Sequence, residues 1–81
     1  VWRVRAMAAA ALARLGDPRA APHLVRMVRD PAWQVRISAI AFAEKSGDPA
    51  AAAAIRPLLD DPHEGTRLEA AAALAGLPAS N

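Results

Sequence analysis

The chain has 81 residues, enough for one small domain near the lower limit for a self-sufficient core; 54% are hydrophobic, yet only 4% are aromatic. It has no cysteine, which excludes disulfides and thiolate metal sites and leaves the redox compartment unreadable, and no charge-free run of about 18 apolar residues, which excludes a membrane helix. The net charge of +2 hides a gradient: residues 1–29 carry six arginines against Asp17, a net +5, whereas residues 30–81 carry four cations against seven acids, a net −3.

The hydrophobic excess is alanine, which favours helix because it loses no side-chain entropy there. A first helix is expected up to about residue 15, with Val4, Ala8, Ala11, Leu12 and Leu15 on its apolar face. "GDP" at 16–18 then ends one helix and opens the next. Glycine takes the left-handed conformation past a helix end, Asp17 accepts from free backbone N–H groups, and Pro18 fits the first helical position, where a missing N–H costs nothing. The second helix runs to about residue 29, with Ala21, Leu24, Val25 and Val28 turned inward, and "DP" at 30–31 breaks it. A third helix over 33–45 places Val35, Ala39, Phe42 and Ala43 on one face, flanked by Ile37 and Ile40. "GDP" returns at 47–49, and the fourth helix, with Ala52, Ile55 and Leu59 inward, reaches about residue 60. Pro57 inside it removes an i→i−4 bond and should bend or end it. After "DP" at 61–62 comes a fifth helix carrying Thr66, Ala70, Ala73, Leu74 and Leu77, its start weakened by Gly65 and Thr66, and Pro78 stops it.

This order is a repeat. Shifted by 31, "WRVR" at 2–5 lands on "WQVR" at 33–36, "GDP" on "GDP" and "DP" on "DP"; Arg5, Arg36 and Arg67 share one column, and Ala8, Ala39 and Ala70 another. Nine of the 15 identities are not alanine, so composition alone does not supply them. A period of this length means a solenoid of two-helix units. The expected organisation is a partial unit over 1–16, then units at 17–47 and 48–78. The start at Val1, without methionine, suggests a piece of a longer protein.

Pro22 in a first helix, Asp30 in the turn, then Val35 and Arg36 in the second helix resemble HEAT repeats, and more closely the 31-residue units of phycobilisome-lyase-type proteins. Asp61 and Arg67 keep the same spacing of six, and "LARLGDPRAAPHL" at 12–24 is similar to that family. Ala53 in place of the second proline, and Glu64 in place of Trp33's counterpart, depart from it. The resemblance implies an all-α, right-handed solenoid of about two and a half repeats and five helices. It also implies that Arg5, Arg36 and Arg67 bridge the turn aspartates Asp30 and Asp61 as a ladder between units. Its functions are broad, spanning scaffolds, regulatory and transport subunits, lyase subunits and nucleic-acid enzymes.

The residues themselves offer little for catalysis. His23 and His63 stand alone without metal-ligand spacing, no serine sits in a nucleophile elbow, and no glycine-rich phosphate loop exists. No cofactor or metal is expected. Trp2 and Trp33 share a column and read as packing or as an exposed anchor, with Trp2 the more exposed because its unit is incomplete. Arg19, His23 and Arg26 form a basic stripe suited to an acidic partner; nucleic acid fits less well, since lysines are few and no aromatic interleaves the stripe. The expected function is a non-catalytic protein–protein interaction module acting through the second helices, with Arg3, Arg14, Ile37, Ile40 and Lys45 as candidate contacts. Two alternatives remain. One is head-to-tail self-association through a first helix that lacks a partner; the other is a lyase-type or nucleic-acid-binding subunit of the same fold.

Overall fold

The computed structural model describes residues 1–15 and 21–77. The cap expected at Asp17 and Pro18, the basic Arg19 and the stop at Pro78 lie outside the described residues. Among the described residues five α-helices follow in order: α1 (Trp2–Leu15), α2 (Ala21–Met27), α3 (Trp33–Ser46), α4 (Pro49–Ile55) and α5 (Glu64–Gly76), with a 3₁₀ segment (Arg56–Asp60) after α4. The second helices of the units, α1, α3 and α5, pack side by side; α2 and α4 lie against α3 as a further layer. The shortest extent, 16 Å, fits two helix layers with axes about 8–10 Å apart.

The helix starts and stops follow from local chemistry. Gly47 has φ 64°, the left-handed value that only glycine takes without strain, and its N–H donates to Ala43 O at 3.1 Å. The Asp48 carboxylate accepts from Ala50 N–H at 2.9 Å, and Pro49 opens α4. Pro57 cannot donate, and the α-helix gives way at Ile55 to the 3₁₀ segment. That change sets which leucine is buried. With three residues per turn, Leu58 follows Ile55 on the inner face, and Leu59, expected inward, is exposed. In α2 Leu24 and Met27 are inward and Val25 faces solvent; Val28, just past its end, is partly buried against the core, and the side chain of Ala21, also expected inward, lies outside what is described.

The core centres on α3, where Val35, Ala39, Ile40, Phe42 and Ala43 are buried against Leu24, Ala51, Ile55, Ala70 and Ala73. Ile40 is 1% exposed, so it is a packing residue and not the partner contact expected from sequence. It lies on the flank of α3 that α5 covers, whereas Ile37 stays partly open. The outer ends differ. Val4 is 66% exposed, and its counterpart Val35 2%. α3 packs between α1 and α5, whereas among the described residues α1 packs on one second helix, α3, so Val4, Met7 and Leu15 reach solvent.

The start of α5 replaces the tryptophan of the earlier units with a different device. The His63 ring caps the helix: Nδ1 accepts from Thr66 N–H at 3.1 Å and lies 2.9 Å from the fully buried Thr66 hydroxyl. The same ring stacks on Trp33, centroids 4.2 Å apart and planes within 9°. A Cβ on Gly65 would stand 2.8 Å from His63 Cε1, so this glycine, which reads in sequence as a weakness, clears room for the ring. Gly65→Ala, a change that gains about 1 kcal/mol in an ordinary helix, should therefore lower stability here. In a His63→Ala background the same change should raise it. Urea midpoints of the four proteins check this, and a gain in both backgrounds would contradict the packing account.

Candidate functional site

Each turn between paired helices is built around one aspartate. Asp30 Oδ1 accepts from Ala32 N–H, and Asp61 Oδ2 from His63 N–H, both at 2.9 Å, which holds the chain as it enters the next helix. The arginine six residues on returns to the same turn, and it meets the backbone. Arg36 Nη1 donates to Asp30 O at 2.7 Å and Pro31 O at 3.1 Å. Arg67 Nη1 repeats this on Asp61 O at 2.7 Å and Pro62 O at 3.2 Å.

The other edge of the guanidinium crosses to the next unit. Arg5 Nε and Nη2 take Asp30 Oδ2 and Oδ1 at 2.7 and 3.0 Å. Arg36 Nη2 donates to Asp61 Oδ2 at 3.0 Å, and its Nε lies 2.7 Å from Asp61 Oδ1, off the line of its N–H, so that contact is ionic without hydrogen-bond alignment. Each aspartate thus gives its carboxylate to the preceding unit's arginine and its carbonyl to its own. Sequence spacing does not separate those two roles. The Arg36–Asp61 side chains are 12% and 5% exposed; the Arg5–Asp30 side chains are 47% and 10% exposed.

The carboxyls titrate accordingly. The Arg5 hydrogen bonds hold Asp30 below the ordinary carboxylate range against the pull of burial, helped by Ala32 N–H and by the charges of Arg5 and Arg36. Burial pushes Asp61 up, but hydrogen bonds from Arg36 and His63 N–H, with the Arg36 charge, outweigh it and leave Asp61 lowered. The bond to Asp30 raises Arg5.

The other sequence candidates are spread over the surface. Trp2 and Trp33 are 38% and 40% exposed, so Trp2 is not the more exposed of the two, contrary to the expectation from sequence. Each ring has a cover of its own: the Arg3 guanidinium lies 5.5 Å from the Trp2 centroid, and the His63 ring lies on Trp33. On α2, His23 and Arg26 are exposed and border, with Arg5 and Met27, a shallow 200 Å³ hollow against α1. Arg14, Ile37 and Lys45 come together with Ala10, Ser38 and Ala41 around a 560 Å³ groove between α1 and α3. Ala41 and Lys45 are exposed there, whereas Phe42 and Ala39 of the same helix are buried in the core. Sequence reading named the arginine, isoleucine and lysine but missed the alanines between them, which only the packing of α1 on α3 sets in one row. Among the described residues, no three His, Asp or Glu side chains converge on a metal position, and no helix is long and apolar enough to cross a membrane.

Leaving Asp61 buried without its arginine is costly, so Arg36→Met should destabilise by about 3–5 kcal/mol. Arg5→Met should cost clearly less, because its guanidinium is half in water and salt and solvent screen it. Both carboxyls are lowered on folding, so their contribution is present above the ordinary carboxylate pKa of about 4 and is lost as pH falls through the lowered values. Urea unfolding of wild type and the two variants, at neutral pH and at pH steps below 4, checks both points. Equal losses from the two variants, or no acid loss in the wild type, would contradict the geometry.

Comparison with curated proteins gives no match, and comparison with solved structures gives none either. A family model described as HEAT repeats matches residues 2–77, from the first residue of α1 to just past the end of α5. The match is to HEAT repeats in general and does not single out the phycobilisome-lyase type. The stacked helix pairs, tied turn to turn by arginine, are HEAT repeats, and the chain belongs to that family.

Proposed function

We propose that the chain is a non-catalytic protein–protein interaction module that binds through the face of α1, α3 and α5 turned away from α2 and α4. HEAT repeats are commonly protein-interaction scaffolds. The observation that carries the choice of face is the groove between α1 and α3. It is a large open depression, and it lies on helices that the inter-unit arginines hold in fixed register. A surface carried by stacked, cross-linked helices is preorganised, so binding need not spend free energy on ordering it.

A second reading is supported by the front end. Val4, Met7, Leu15 and Val25 are exposed there among arginines, and the tail half of the chain is acidic with Leu59 and Leu68 exposed. Front and tail are complementary in charge, as a head-to-tail contact between copies requires.

A photo-crosslinking residue placed at Ala41, in the groove, should join the chain to a discrete protein partner in an extract of its source cells; the same residue at Ala53, exposed on α4, should not. Equal labelling from both positions would contradict the choice of face. Light scattering across protein concentration, with and without added salt, checks the second reading: salt-sensitive growth in mass supports it, and a strict monomer removes it.

A further inference from the structure

We infer that the groove between α1 and α3 is built for an acidic amphipathic helix of another protein, whose carboxylates meet Arg14 and Lys45 while its apolar side chains lie on Ile37 and the alanine floor. The inference rests on the interaction reading above and adds the chemistry of the partner.

Three rows laid down by the repeat shape the groove. One holds Ala10 and Ala41, whose methyl groups let another helix approach closely; the next residue in that row, Ala72 on α5, is also exposed. The second holds Ile37 and, one unit on, the exposed Leu68. The third holds Arg14 and Lys45, side by side at the C-terminal ends of α1 and α3. Along α3, Ile37, Ala41 and Lys45 follow at steps of four, and along α1 Ala10 and Arg14 do the same. Two i±4 ridges with a furrow between them are the shape into which a third helix packs.

Charge selects the occupant. Among the described residues neither Arg14 nor Lys45 meets a carboxylate, and no acid lines the groove. A cation in the last turn also offsets the partial negative charge of its own helix end. That accounts for one cation per helix. It does not account for an apolar, alanine-floored furrow running up to both of them. A basic or neutral helix would leave two cations crowded at one end, whereas an acidic one neutralises them and covers the apolar row.

The test uses two labelled 18-residue helical peptides with leucines on one face, one bearing glutamates beside them and the other lysines at the same positions. Binding is read by fluorescence anisotropy at low salt. The glutamate peptide should bind with a dissociation constant on the order of 10 μM. R14E/K45E should weaken it about tenfold or more and should gain the lysine peptide. R26E/R29E, the same charge change on the α2 side, should leave both affinities within about twofold. Thermal melts of each variant establish that it is folded. Equal binding of both peptides to the wild type, no binding of the glutamate peptide, or equal losses from the two double variants would overturn the acidic partner. A41R separates this from the reading beneath it. If A41R abolishes peptide binding while R14E/K45E does not, the face is still the interface and only the acidic chemistry falls. If binding survives both, the face falls as well.

Discussion

The fold turns on one planar cation that serves two turns at once. A guanidinium offers five N–H groups in a rigid fork. In Arg36 one nitrogen holds the carbonyls of Asp30 and Pro31, and the opposite edge holds the carboxylate of Asp61, in the next unit. That carboxylate also accepts the N–H of His63, the residue that caps α5. Turn geometry, helix start and inter-unit spacing are therefore one hydrogen-bonded network. Removing the arginine strips two carbonyls and a buried carboxylate of partners together, so breaking the link is far worse than a lost surface ion pair.

The apolar layers can then be small. Most of the residues that seal the contacts of α3 with α4 and α5 are alanines, and Phe42 is the one aromatic ring in the core. Alanine brings helix axes close but contributes little area per residue, so the polar links fix what an alanine core would leave free to slide. The cost falls at the outer helices. α1 has one flank on α3 and the other on solvent, which leaves Val4, Met7 and Leu15 uncovered. The face of the second helices away from the core inherits the same regularity, since residues 31 apart stand beside each other, and a groove with an alanine floor and a pair of cations follows from that register.

Much of this was legible in the sequence, because the columns that matter are polar or conformationally special. "GDP" and "DP" announce turns by residue type, and the resemblance to HEAT repeats adds the inter-unit links of the three arginines. The remainder depended on atoms and on twist. Spacing says that Arg36 lies near Asp30, not that it takes the carbonyl while Arg5 takes the carboxylate. A 3.6-residue pattern puts Leu59 inward, and the proline-induced 3₁₀ segment puts Leu58 there instead. Ile40 looked like a free flank because its cover, α5, is 24 residues away from it in the chain. Glu64, Gly65 and Thr66 read as decay of the repeat, yet the His63 ring caps Thr66 N–H and stacks on Trp33 in the room that Gly65 leaves. The groove was half legible. Its charged and branched residues stand out in the sequence, and its alanines do not, in a chain with so many.

The claim on which all of this rests is that Arg36 and Asp61 are energetically one element. A double-mutant cycle combining Arg36→Met and Asp61→Leu, read by urea unfolding at neutral pH, measures it directly. The double variant should lose far less than the sum of the single losses, with a coupling of about 2–3 kcal/mol. Additivity within about 0.5 kcal/mol would contradict it.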